Sequence, residues 1–151
     1  MRFFELVGQS LRKFADFSGR ASREEFWTFL AFVLIANLAA QSIGRLLGMG
    51  YAFGSLIGIL LLLPQIAVAV RRLHDVGRSG RELIVPAALI SLAPLLLAFR
   101  GILPRLVALG MLGLALLGFA SLLLLLLKKG GTVPNRYGAA PKAFSYARQA
   151  A

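Results

Sequence analysis

The apolar positions of this chain fall in four long runs, near residues 26–43, 51–70, 83–99 and 106–127, separated by short polar segments. At about 1.5 Å of rise per residue, helices of this length can cross the roughly 30 Å hydrocarbon layer of a bilayer. The pattern predicts an all-α fold, a polytopic transmembrane helix bundle of about four spans forming one membrane domain over residues 1–151. The third run is the shortest, and the third and fourth together can instead make a bent hairpin that does not fully cross.

The N-terminal pattern is different. Over residues 2–17, Phe3, Phe4, Val7, Leu11 and Phe14 gather on one helical face, and Arg2, Glu5, Gln9, Arg12, Lys13 and Asp16 on the other. Such an amphipathic helix suits the headgroup plane, and packing on the chain's own spans is the competing reading. Ser18-Gly19 breaks it. Ser22 with Glu25 three residues on has the form of a capping box, so the first span is expected to begin at Ser22, with Trp27 as an interfacial anchor.

Polar and small residues inside the runs predict packing. Asn37 and Gln41 are four apart, share a face and are expected to hydrogen-bond towards a neighbouring helix. Gly50, Gly54 and Gly58 recur every four residues and allow close backbone approach, to another span or to a second copy of the chain. Pro64 predicts a kink, with Gln65 beside it to bond a freed backbone group. The tail, 128–151, is polar and turn-rich.

Composition then narrows the chemistry. The chain has 151 residues, 58% of them hydrophobic and only 15% charged, with a net charge of +11. In a soluble protein that charge would suggest nucleic acid. Here the basic residues flank apolar runs, so the expected counter-charge is a bilayer with anionic headgroups, and no nucleic acid partner is expected. There is no cysteine, one histidine and only six acids. These make no metal set, and no phosphate-cradling glycine loop is visible, so neither metal nor cofactor is expected. No acid or base lies deep in a run, which leaves a proton relay without its usual mark.

Charge also orients the chain. With four spans, fourteen of the seventeen lysines and arginines lie on the side of the two termini and the middle loop, and only Arg45, Arg100 and Arg105 lie on the other. The positive-inside rule then puts both termini in the cytoplasm.

The middle segment, Arg71 to Glu82, is the longest polar stretch between the two ends. Arg71, Arg72 and Arg78, with Ser79 in a glycine-flanked turn, can bind a phosphate or an acidic headgroup. Asp75 can pair with one arginine and fix the loop. His74 beside Asp75 invites an acid–base reading, but adjacent residues need not face each other and no nucleophile is placed by spacing, so no catalytic residue is assigned.

Two segments, Phe17-Ser18-Gly19-Arg20-Ala21-Ser22-Arg23-Glu24-Glu25-Phe26-Trp27 and Arg71-Arg72-Leu73-His74-Asp75-Val76-Gly77-Arg78-Ser79-Gly80, resemble the bacterial inner-membrane proteins of domain of unknown function 805, the YhaH type. Asn135-Arg136-Tyr137-Gly138 before Pro141 is similar to that family's C-terminal signature. Arg81-Glu82 stands where the family usually has an aromatic pair, and Ala140 where it usually has an acid. The stretch between loop and tail looks longer than the family's usual single span. The resemblance implies a small inner-membrane protein and supplies no activity.

The three segments are expected to converge at one membrane face, adding Arg20, Arg23, Asn135, Arg136 and Tyr137 to the candidate lipid- or partner-binding set. The favoured expectation is a non-enzymatic module that binds anionic headgroups or a protein partner through basic cytoplasmic loops. The alternatives are a small channel or transporter component built as a homo-oligomer, and an interfacial lipid-acting enzyme using His74 and Asp75.

Overall fold

The computed structural model describes residues 2–141. They form α1 (Arg2–Arg12), α2 (Arg23–Leu46), α3 (Ala52–Asp75), a short 3-10 turn (Gly80–Leu83), α4 (Ile84–Leu97) and α5 (Ile102–Leu127). An irregular segment to Pro141 follows. Four helical stretches are long and apolar enough to cross a membrane, the third only when the 3-10 turn is counted with α4. Apart from one isolated Asn135–Gly138 bridge, the described residues hold no β-structure.

The spans pair as two hairpins. In the first, α2 and α3 approach closely along the face expected from the sequence. A Cβ on Gly54 would overlap the side chain of Gln41 and stand 3.3 Å from its Cα; one on Gly58 would stand 3.0 Å from Asn37 Oδ1. The glycines therefore let α3 lie against the polar face of α2 within the same chain. Gly50 is not on this stripe. It precedes α3 and sits in the connecting turn at φ +57°, where glycine carries no Cβ penalty. Asn37 Nδ2 donates back to Val33 O (2.9 Å), within its own helix. α3 continues through Pro64, and the side-chain oxygen of Gln65 is buried without a hydrogen-bond partner among the described residues.

In the second hairpin, small buried side chains bring α4 and α5 together: Pro86 and Ala93 from one, Ala108 and Ala115 from the other. A Cβ on Gly118 would stand 3.0 Å from Pro86 Cβ. The two hairpins join at the end that carries the starts of α2 and α4 and the ends of α3 and α5. There Phe26, Phe29, Val68, Ala69 and Leu73 pack with Leu122 and Leu126.

Helix α1 ends earlier than the residue 17 expected from the pattern. Phe14 N–H bonds to Leu11 O and Asp16 N–H to Lys13 O, which tightens the chain into a turn. Asp16 then accepts from both the backbone and the hydroxyl of Ser18. These bonds, the hydroxyl one first, hold its carboxyl below the usual range. The helix packs on the body through Leu6, Val7 and Ser10, which are buried. Phe4 and Phe14 point outward, 78% and 54% exposed. Packing on the chain's own spans therefore holds for the side that carries Leu6, Val7 and Ser10.

Candidate functional site

Where the two hairpins join, segments distant in sequence meet. The last turns of α3 do not form a loop. Arg71 to Asp75 are helical, and Arg71, Arg72 and Asp75 are almost completely buried. Helical spacing turns Arg72 and Asp75 to one side, where their side chains pair. The other carboxylate oxygen, Oδ1, accepts from Arg20 Nε at 2.9 Å and lies 2.8 Å from its Nη2. Asp75 is thus clamped between two guanidinium groups, one from its own helix and one from the segment before α2.

Both arginines spend their remaining donors on the C-terminal segment. Arg72 donates to Leu126 O through Nε (3.2 Å) and Nη2 (3.1 Å), and to Lys128 O. These are carbonyls that the end of α5 leaves without a helical partner. Arg20 donates to Val133 O at 2.8 Å, to Gly131 O, and more weakly to Gly138 O at 3.4 Å. Gly131 N–H returns a bond to Asp75 O at 3.2 Å. Gly130 lies so close that a Cβ there would overlap Asp75 Oδ2. Burying charges at such a depth is costly unless each is paired and hydrogen-bonded, and this arrangement meets that condition for Arg20, Arg72 and Asp75.

The tail signature folds onto the same place. Asn135 and Gly138 exchange backbone bonds of 3.0 and 2.9 Å, and Asn135 Oδ1 accepts from Tyr137 N–H, closing a tight turn. Asn135 Nδ2 donates to His74 O at 2.9 Å. The Tyr137 ring stacks on His74, with centroids 3.8 Å apart and planes 3° from parallel. Arg136 lies over the other partner of the stack, 4.7 Å from the Tyr137 centroid, and reaches Gly77 O. His74 Nδ1 lies 3.1 Å from Gly19 O. A carbonyl oxygen only accepts, so this nitrogen carries the proton. His74 and Asp75 therefore serve different partners, and the adjacent pair does not act as a dyad.

A second buried ion pair lies beneath α1. Arg71 Nη2 is 3.2 Å from Glu25 Oε1, without hydrogen-bond alignment, while Arg71 Nε donates to Ala67 O at 3.4 Å. Ser10 Oγ reaches Glu25 Oε1 at 3.5 Å. Only half of the capping box forms. Ser22 Oγ accepts from Glu25 N–H at 3.1 Å, but the Glu25 side chain turns to Arg71.

The candidate headgroup ligands therefore divide into two groups. Arg20, Arg71, Arg72 and Asp75 are interior and engaged with the chain itself, which removes them from direct contact with a surface ligand. Arg23, Arg78 and Arg136 are exposed. Arg78 pairs with Glu82 at 2.9 Å, and Ser79 accepts from Arg81 N–H to cap the 3-10 turn. Glu25, Ser10, Gly130 and Gly131 were not among the sequence candidates. The Gly130-Gly131 pair directly after the last span was the readable hint of a close approach. Lys142 and Arg148 lie outside the described residues.

Known proteins match the stretch of chain that carries these residues. The family described as "Protein of unknown function (DUF805)" matches residues 14–139, which contain all three converging segments. Inner membrane protein YhaI of Escherichia coli (strain K12) is 39% identical over 71 residues, 46% of this chain and 60% of its own length. Inner membrane protein YhaH of the same organism is 38% identical over 75 residues, 46% of this chain and 62% of its own length. The chain thus spans about three-fifths of the length of these curated relatives. No solved structure matches it.

Proposed function

The chain belongs to the DUF805 family, and from that premise we propose that it is an inner-membrane protein whose non-enzymatic role is to bind anionic lipid headgroups at a rigid basic face turned to the cytoplasm. One observation carries the reading. Arg23, Arg78, Arg81, Lys128, Lys129 and Arg136 are all exposed at the end where the hairpins join, whereas the opposite end exposes Arg45, Arg100 and Arg105. The buried clamp of Arg20, Asp75 and Arg72 braces the segments that carry the first group. The spans hold this face at headgroup level, where anionic lipid is the nearest abundant counter-charge. The positive-inside rule supports the cytoplasmic orientation.

The test is lipid retention by the full chain in mild detergent, titrated with phosphatidylglycerol and phosphatidylcholine. Phosphatidylglycerol should be enriched at low salt, less so at high salt, and weakly by the R78Q/R81Q/R136Q variant. Equal retention of the two lipids would overturn the reading. An acidic protein partner would use the same residues, and its recovery in place of lipid would favour that alternative. The homo-oligomeric channel rested on the glycine stripe, and Gly54 and Gly58 are covered by Gln41 and Asn37 of the same chain. The enzyme reading rested on a His74–Asp75 pair, and these residues have separate partners.

A further inference from the structure

An open cleft of about 310 Å³ lies where the start of α2 faces the segment after α5. Ser22, Arg23, Asp75, Lys129, Gly130 and Thr132 are among the residues that line it. We propose that this cleft is a discrete binding site for the phosphate of an anionic phospholipid. The inference rests on the headgroup reading above and deepens it from a surface to a site.

The electrostatics of the cleft favour an anion. The one carboxylate that lines the cleft among the described residues, Asp75, is 4% exposed and already matched by Arg20 and Arg72. Arg23 and Lys129 are therefore surplus positive charges, and both are exposed. Among the described residues Arg23 makes only a long bond, 3.5 Å, to Leu127 O, which leaves its fork of donors open to a bidentate acceptor. The hydroxyls of Ser22 and Thr132 add short polar groups on the two walls. The walls are fixed relative to each other. Gly131 is tied to Asp75 O and to Arg20, and Gly130 packs against the Asp75 carboxylate too closely for any side chain. A cleft held in this way needs little reordering to take a ligand.

Its level identifies the source of the phosphate. The apolar span α5 ends at Leu127, two residues before Lys129, and Leu127 is 50% exposed. Trp27 lies one helical turn into α2 from Arg23 and on the same side of the helix. A phosphate in the cleft would thus have acyl chains beside apolar surface, as a phospholipid requires and a free phosphate does not.

Trp27 is the chain's only tryptophan and supplies the readout. The full chain is reconstituted in phosphatidylcholine containing phosphatidylglycerol brominated in its acyl chains, and quenching of Trp27 is measured against the inverse labelling. Phosphatidylglycerol should be enriched beside Trp27, and R23Q/K129Q should reduce that enrichment about tenfold, the equivalent of one lost charge-assisted contact. T132V, which keeps every charge, should cause a smaller loss. R78Q/R81Q should leave Trp27 quenching nearly unchanged while lowering total lipid retention. If R23Q/K129Q and R78Q/R81Q lower both readouts equally, attraction is diffuse; the site is overturned and the headgroup reading survives. If wild-type protein enriches no phosphatidylglycerol by either readout, both fall. If inorganic phosphate displaces the quenching lipid at equal ionic strength to a chloride control, the ligand is free phosphate and the lipid assignment is overturned.

Discussion

Arg20 and Asp75 are 55 residues apart in sequence and form a buried ion pair, with Nη2 to Oδ1 at 2.8 Å. Arg72 holds the second oxygen of the same carboxylate. Asp75→Asn would leave two buried guanidinium groups without their counter-charge. The expected loss is about 3–5 kcal/mol, the range found when one partner of a buried pair is removed. Thermal or denaturant unfolding in a fixed detergent measures it. A loss below about 1 kcal/mol would mean the carboxylate is solvated, as exposed pairs are.

Gly130→Ala should destabilise strongly, because the added methyl overlaps Asp75 Oδ2 and must push the C-terminal segment away from the clamp. Gly113→Ala is the control. A Cβ at Gly113 meets nothing within 4 Å among the described residues, and the helix should gain up to about 1 kcal/mol from alanine. Unfolding midpoints of the two variants should move in opposite directions.

Gly54→Leu should separate α2 from α3, since even a Cβ there overlaps Gln41. Gly110→Leu should be tolerated, as a Cβ at that position meets nothing within 4 Å among the described residues. Protease resistance and helix content in detergent distinguish the pair. If Gly54→Leu kept both and altered only the oligomeric state, the stripe would be intermolecular.

Asp16 gives a pH prediction. Its hydrogen bonds from Ser18 lower the folded-state value below the unfolded one. This contribution to stability is present above the ordinary carboxylate range and is lost as pH falls through the depressed value. Ser18→Ala removes the hydroxyl bond and should raise the Asp16 titration midpoint. Carboxyl carbon shifts followed by NMR against pH measure the change directly, and an unmoved midpoint would contradict the assigned cause.

Orientation is testable because the chain has no cysteine. Met49→Cys, in the α2–α3 turn, and Arg81→Cys, in the 3-10 turn, lie at opposite ends of the spans. A membrane-impermeant maleimide applied to intact spheroplasts should label Met49→Cys, and label Arg81→Cys only after permeabilisation. The reverse pattern would place the basic face outside.

The four spans were legible because lipid demands long apolar helices, and no tertiary detail alters that requirement. The pairing of Gly54 and Gly58 with Gln41 and Asn37 was half legible. Periodicity gave the faces but not whether the partner was the same chain. The burial of Arg71 and Arg72 was not legible. Two arginines at the end of a span read as topogenic surface charge, and nothing local indicates that Glu25 will take Arg71 beneath α1 or that carbonyls at the end of α5 will take Arg72. The same limit applies to His74 and Asp75. Their adjacency is visible in sequence, but His74 turns to Gly19 and Asp75 to Arg20, each 55 residues away, as well as to Arg72 of its own helix.

The clamp also has a consequence for biogenesis. Arg20 emerges from the ribosome over a hundred residues before the carbonyls of Gly131 and Val133 that it will hold. Arg72 likewise waits for Leu126 and Lys128. Asp75 can pair with both arginines as soon as α3 is made, but the carbonyls that take up their remaining donors come only with the end of α5 and the segment after it, so the clamp is complete only in a chain extended past Val133.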